Sequence, residues 1–410
     1  MSESLSTDSY KGVRDFYPDD YARMSAMFAC IRETLSLWGY EEYDASPLER
    51  AEIYEAKTSE EIVNEQTYTF TDRGERRVTL RPEMTPTLAR MVAARRRELA
   101  FPLRWFSIGN RFRYERPQKG RLREFYQVDI DLIGLPEGEA DVEIIKIAST
   151  ILKSLGAKEK DFIIRINSRS ILNAACEEAG LTGDGIRHYL RLLDKKAKMT
   201  VEEFESARNA ISAKDPLKLI KTKEIETFIA TLKQRGINNA VFDAGITRGF
   251  DYYTGMVFEI YDTNPANPRA LFGGGRYDGL VALFGGDPIP AVGFALGDVT
   301  LADFLETHKL IPDSNYGKPK LYIGTPSPEN IPAAQAFADM LRNQNCSVFV
   351  NLTTRSLGDQ IKDAVKRDIP FFVAYGADEV KNKMVKMKIL ATGEEKIVPV
   401  SELKTQLDIK

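Results

Sequence analysis

From Leu103 to Gly134 apolar and polar side chains alternate in two runs, and no other feature restricts the fold as much. In the first run Phe112 and Tyr114 alternate with Arg111, Arg113 and Glu115. In the second, Val128, Ile130 and Leu132 alternate with Gln127, Asp129 and Asp131. A period of two sends successive side chains to opposite faces of a strand, and Pro117 to Gly120 supplies the connecting loop. The stretch predicts a β-hairpin with one buried apolar face and one face of guanidinium, amide and carboxylate groups. Such a polar face is either a binding surface or a salt-bridged exterior.

The rest of the chain is organised around this hairpin. Pro18, Asp19 and Asp20 start a helix over 20–38 in which Tyr21, Met24, Phe28, Ile31, Leu35 and Trp38 recur at helical spacing, and Gly39 ends it. Its apolar face belongs to a core or a dimer seam. Pro47 in EEYDASPLE suits an edge strand or an interface. A second helix is predicted over 139–155, ended by Gly156. Residues 168–238 are charged and helical in pattern, an insertion between sheet segments, and strands return at 241–262 and 289–296. The linker-like IPDSNYGKP at 311–319 separates a first domain, 1–310, from a βαβαβ pattern over 320–410, a small α/β domain.

A hydrophobic content of 43% and a charged content of 29% describe an ordinary globular protein. The opening MSESLSTDSYKG has no apolar run, and no stretch approaches the ~18 apolar residues of a membrane helix, which predicts a cytoplasmic protein without membrane partners. Cys30, Cys176 and Cys346 lie far apart, which fits a reducing compartment and argues against zinc and disulfides. With only His188 and His308 present, a His-based triad or a His/Cys metal site is not expected, and both are expected at the surface. The net charge of −3 gives no global nucleic-acid signature. Local charge does: six basic residues lie between Arg111 and Arg123 against the single acid Glu115, and Lys381, Lys383, Lys386 and Lys388 form a second run. Either run could equally be a solvated face.

Several segments resemble one family. RWFSIGNRFRYERPQKGRLREFYQVDIDLIG is similar to motif 2 of the class II aminoacyl-tRNA synthetases, in its histidyl form. ITRGFDYYTGMVFE resembles the histidine loop of that family, with Phe250 where leucine is usual. LRPEMTPTLAR, FGGGRYDGLVALFGG, the opening KGVRDFYPDD and the late TTRSLGDQIKDAVKRDIPFFVAYGADEV extend the resemblance over nearly the whole chain. It implies an α+β fold: an antiparallel-sheet catalytic core with a helical insertion, followed by an anticodon-binding α/β domain. It also implies that ATP and Mg²⁺ activate L-histidine for transfer to tRNA(His), by a homodimer.

The same resemblance assigns residues. Arg113 and Arg248 would act on the α-phosphate; Glu83 and Thr85 would bind the substrate ammonium with help from Gln127; Asp131, Tyr252 and Tyr253 would surround the imidazole. Arg113, Glu115, Arg121, Gly274, Arg276 and Gly297 would hold ATP. Arg116, Gln118, Lys119, Arg123, Lys386 and Lys388 would contact tRNA. Two departures stand out. Asp131 occupies a position where glutamate is common, one methylene longer. In AVGFALGDVTL the arginine that would grip the γ-phosphate is missing, so Arg121 or Arg276 is expected to substitute. That loss also leaves a second reading: a synthetase-like paralogue of the kind that regulates ATP phosphoribosyltransferase, binding without aminoacylating.

Overall fold

The structure is a computed structural model in which residues 5–55, 66–116, 118, 120–196, 199–248, 252–312 and 317–408 are described. Contacts divide the chain into two units, Met1–Tyr17 with Arg23–Pro312 and Pro18–Ala22 with Asp313–Lys410.

The chain first forms α1 (Pro18–Leu37), with proline and two aspartates in its first turn and Gly39 at φ 73° just beyond its end. Met24, Met27, Phe28, Ile31 and Leu35 bury their side chains in the core, so the apolar face seen in the sequence is core rather than seam. There follow β1 (Glu41–Glu42), β2 (Leu48–Arg50), α2 (Ala51–Glu55), β3 (Tyr68–Thr71), β4 (Arg77–Leu80) and α3 (Thr85–Arg95). The hairpin is β5 (Leu103–Phe112) and β6 (Glu124–Ile133), followed by α4 (Glu139–Ser154) and β7 (Phe162–Ser168). Four helices, α5 (Arg169–Glu178), α6 (Asp184–Lys195), α7 (Val201–Ile211) and α8 (Lys223–Gln234), then lead to β8 (Ala240–Phe242). The first three bring their own small core, with Leu172, Cys176, Tyr189, Leu193 and Phe204 buried together, while Ile225, Ile229 and Leu232 of α8 join the main core. The unit closes with β9 (Met256–Asp262), β10 (Ala270–Arg276), β11 (Ala291–Gly297) and α9 (Asp298–Thr307).

Among the described residues the large unit is built on an eight-stranded sheet in the order β1-β5-β6-β11-β10-β9-β7-β8. All pairings within it are antiparallel except β1 with β5 and β7 with β8. On β6, Val128, Ile130 and Leu132 are at most 1% exposed and enter the main core. Each such side chain contributes about 1.5–3 kcal/mol of burial. Their alternates Gln127, Asp129 and Asp131 face the other way, as the period of two requires.

Three details differ from the sequence expectation. The first hairpin strand stops at Phe112, and Tyr114 is 50% exposed, because the backbone beyond Phe112 turns away from the sheet. The glycine-rich run 273–275, outside the strands predicted at 241–262 and 289–296, forms the middle of the central strand β10. A Cβ at Gly274 would lie 2.0 Å from the Gly293 carbonyl oxygen of β11, so only glycine lets the neighbouring strand come this close. Finally, His308 is not at the surface; it bonds Asp262 through Nε2 at 2.8 Å and is 16% exposed.

The smaller unit is a five-stranded sheet in the order β13 (Val348–Val350), β12 (Leu321–Gly324), β14 (Phe371–Ala374), β15 (Met384–Ile389), β16 (Glu395–Pro399). The first three strands are parallel and the last two antiparallel. The helices α10 (Ile331–Arg342) and α11 (Leu357–Lys366) provide the crossovers that parallel strands need.

Candidate active site

The polar face of β6, the first half of β10 and the middle of β11 enclose a cavity of about 160 Å³. Glu83, Thr85, Arg113, Gln127, Asp131, Arg248, Tyr252 and Tyr253 all line it, together with Tyr277, Gly273, Gly293 and Ala270. Segments more than a hundred residues apart thus meet at one place.

Asp131 sits deepest in chemical terms. It is 3% exposed and lies opposite Gly293 in the β6–β11 register, where a Cβ would come within 2.2 Å of its Oδ1. The Tyr277 hydroxyl donates to Oδ1, while Oδ2 is buried without a hydrogen-bond partner. Burial pushes this carboxyl up to about 8; the Tyr277 hydrogen bond opposes the shift and the Asp129 charge adds to it. Asp129 is differently placed. It accepts from Arg111 Nη2 at 2.6 Å and from Gln127 Nε2 at 2.7 Å, and it does not line the cavity. Tyr277 was not singled out in the sequence, although it follows Arg276 directly in the glycine-rich stretch.

Around Asp131 stand the tyrosines. Tyr252 and Tyr253 have ring centroids 4.9 Å apart, and Tyr252 meets Tyr277 edge-on at 5.9 Å. The Tyr252 hydroxyl donates to Glu83 Oε2 at 3.0 Å. Glu83 is 3% exposed, just ahead of α3, and Thr85 is the first residue of that helix.

Two arginines complete the cavity. Arg113 donates from Nε to the Pro82 carbonyl at 2.9 Å and lies over the Phe125 ring at 5.3 Å. Arg248 bonds Glu259 from Nη1 at 3.1 Å and the Gly273 carbonyl from Nη2 at 2.9 Å. Its backbone is left-handed, φ 57°, a conformation that costs a non-glycine residue on the order of 1–2 kcal/mol. Such outliers cluster at functional sites, where surrounding structure enforces them. Glu259, absent from the sequence expectation, is the residue that aims this arginine; its place in the VFE of the histidine loop was the available signal.

Other expected residues lie elsewhere. Arg276 is 1% exposed and fully engaged: Nε and Nη2 grip Asp141 at 3.0 and 2.8 Å, and Nη1 bonds Asp278 at 3.0 Å. It fastens β10 to α4 and does not line the cavity. Gly274 serves strand packing, and Gly297 pairs with Gln127 and precedes α9; neither lines the cavity. Arg121 pairs with Glu115 at 3.1 Å. Arg123 bonds the Tyr10 hydroxyl at 3.0 Å and lies over the Tyr114 ring at 3.9 Å, which ties the N-terminal segment to this loop. Arg116 and Gln118 are exposed, and Lys119 lies outside the described residues. In the smaller unit Lys386 and Lys388 share Glu395, at 3.3 and 3.4 Å. Where the γ-phosphate arginine is missing, Thr300 donates to the Leu271 carbonyl at 2.6 Å, and Asp298 holds Arg14 at 2.6 Å and the Tyr126 N–H at 2.9 Å.

The family model described as histidyl-tRNA synthetase matches residues 12–224 and 199–299, and one described as an anticodon binding domain matches residues 320–408. A histidine–tRNA ligase of Leptospira biflexa is 38% identical over 425 residues, covering 98% of this chain and 97% of that protein. A histidine–tRNA ligase of Halobacterium salinarum is 34% identical over 421 residues, covering 96% of each. Among solved structures, a histidyl-tRNA synthetase from Nostoc superimposes with a TM-score of 0.79 at 24% identity, over 98% of this chain and 99% of that one. A Bacillus halodurans protein described as an ATP phosphoribosyltransferase regulatory subunit/histidyl-tRNA synthetase gives a TM-score of 0.71 at 24% identity, over 92% and 100%. The two structures speak for the fold, and the full-length sequence relatives for more: this chain belongs to the histidyl-tRNA synthetase family.

Proposed function

We propose that the chain is a histidine–tRNA ligase, which joins histidine to AMP at the expense of ATP and passes the histidyl group to tRNA(His). The carrying observation is one cavity in which two arginines face a carboxylate for an ammonium and a half-satisfied carboxyl for an imidazole. In this reading Glu83 and Thr85 take the α-ammonium, with Gln127 beside them. An imidazole offers one donor and one acceptor, and Asp131 with the tyrosines answers both. Arg113 and Arg248 then meet the substrate carboxylate and the α-phosphate. The carboxylate oxygen forms a bond to the α-phosphorus while the bridge to the β-phosphate breaks, and pyrophosphate leaves with the electron pair. A carboxylate needs no base, so the residues act by positioning and by meeting the charge that develops. In the second step the 3′-terminal hydroxyl of tRNA attacks the carbonyl carbon of the anhydride, its proton is lost, and AMP leaves with the bridging oxygen.

Mg²⁺ asks a protein for only one or two carboxylates and takes its other ligands from phosphates and water. Glu115, the single acid of the basic loop, fits that need, and the ion would screen the leaving pyrophosphate. Exposed Arg116 and Gln118, Lys119, and the Lys386–Lys388 strand are the groups we assign to tRNA. No described helix is long and apolar enough to cross a membrane; we place the enzyme in the cytoplasm, as a homodimer.

The regulatory reading draws support from Thr300 at the arginine position. Arg113 and Arg248 in one cavity, together with the matched anticodon-binding domain, favour the ligase. ATP–pyrophosphate exchange with each amino acid decides between them: stimulation by histidine alone is expected, and histidine binding without any exchange would leave the regulator.

A further inference from the structure

Beside the cavity the β5–β6 loop, the segment entering β10 and helix α9 converge on one point. A Cβ built on Gly120, in the loop between β5 and β6, would lie 3.8 Å from Thr300 Cγ2, 3.9 Å from Arg269 Nη1 and 4.0 Å from Asp303 Oδ2. Arg269 thus brings a guanidinium to the spot where α9 offers the Thr300 methyl and, three residues on, the Asp303 carboxylate. Its Nη2 donates to Gln118 Oε1 at 2.9 Å, tying the guanidinium to the same loop. Its neighbour Ala270 lines the cavity.

The backbone accounts for this reach. Between Ala270 and Phe272 the pairing of β10 with β9 shifts register, and the Leu271 carbonyl is held by Thr300 Oγ1 at 2.6 Å. An irregularity of this kind re-aims side chains at strand ends and recurs beside active sites. Thr300 therefore keeps a task, but a different one: it fixes the strand end that carries the arginine.

Charge leaves few other candidates. The leaving pyrophosphate carries several negative charges away from Arg113 and Arg248, which meet the α-phosphate deeper in the cavity. Arg276 is enclosed by Asp141 and Asp278. A planar guanidinium at the rim suits two oxygens of one phosphate.

We propose that Arg269, delivered from the start of β10 and steadied by Gln118, grips the β- and γ-phosphates of ATP and so does the work of the arginine missing from α9. This rests on the ligase reading, and the test separates the two because wild-type exchange with histidine is its control. Arg269→Ala and Arg269→Gln should lower kcat/KM for ATP in histidine-dependent exchange by ~10²–10³, the scale of one charge-stabilising donor, and raise the KM for pyrophosphate in the reverse direction. Arg269→Lys should recover part of the loss. Binding of a non-hydrolysable histidyl-adenylate analogue, and single-turnover transfer from preformed adenylate to tRNA, should stay within about twofold, since neither involves the outer phosphates. A mere folding defect would weaken all of these together. Adding Thr300→Arg to Arg269→Ala should restore exchange by returning a guanidinium to the same point from the helix side. Normal ATP kinetics in Arg269→Ala, or a loss shared equally by analogue binding, would overturn the assignment.

Discussion

Tyr277 donates its hydroxyl to one oxygen of Asp131 and leaves the other oxygen buried without a partner. Burial holds the Asp131 carboxyl up at about 8, against 3.8 for an ordinary aspartate. Between these values the folded protein binds one proton more than the unfolded chain, so stability falls as pH rises through the window and levels off above it. Asp131→Asn removes that dependence. Thermal midpoints of the ligand-free proteins should therefore diverge as pH rises from about 4 to about 8, with the variant increasingly the more stable. Parallel curves would show that the carboxyl is ionised in the folded state.

Asp129 and Asp131 share a strand face, yet their alanine variants should fail differently. Asp131→Ala removes a polar partner from a buried contact, a loss of about 1.5–3 kcal/mol, and should reduce kcat/KM for histidine by ~10–150-fold with ATP binding little changed. Asp129→Ala leaves Arg111, which is fully buried, without its counter-charge. Breaking such a pair typically costs about 3–5 kcal/mol, so its main effect should be on the thermal midpoint. A selective histidine defect in Asp129→Ala, with full stability, would reverse the two roles.

That distinction marks how far the sequence was legible. Alternation put Gln127, Asp129 and Asp131 on one face without any knowledge of the fold, because the period of a strand is local. It could not choose between the aspartates, because the choice lies with Arg111 on the neighbouring strand and Tyr277, which is 146 residues from Asp131. The partner that engages Arg276 was out of sight for the same reason: Asp141 is 135 residues away. The strand β10 was not predicted because three glycines carry no apolar alternation, whereas here they answer to the closeness of β9 and β11. Tyr114 read as buried because the alternation continues past Phe112, although the chain itself leaves the sheet there.

Arg248 is held by Glu259 and by the Gly273 carbonyl before any substrate arrives. Arg248→Ala should cut histidine-dependent exchange by at least ~10², while histidine binding changes much less. Glu259→Gln should retain the arginine but loosen its aim, giving a smaller loss in kcat. Near-normal rates in Arg248→Ala would exclude this arginine from the activation step.

The exposed apolar residues predict how two copies meet. Leu48 on β2 and Phe70 on β3 are 49% and 48% exposed, and their pairing with Leu80 and Val78 of β4 puts them on one face of a three-stranded sheet. A second copy related by a two-fold axis would cover that face. Sedimentation should give a dimer of the 46.2 kDa chain, and Leu48→Asp with Phe70→Asp should yield the monomer. A wild-type mass of one chain at all concentrations would rule this out.

The three glycines of β10 also bear on how the enzyme meets heat. Glycine in a strand interior weakens folding by roughly 0.5–1 kcal/mol per residue relative to alanine, because the unfolded chain has more freedom to lose. That cost is borne once, when the sheet forms. At Gly273, the one of the three that lines the cavity, the wall has no rotamer, so a substrate settling there immobilises no side chain at that point. Warming should therefore erode the fold before it blurs this part of the wall, and the geometry there should persist almost to the temperature at which the sheet itself opens.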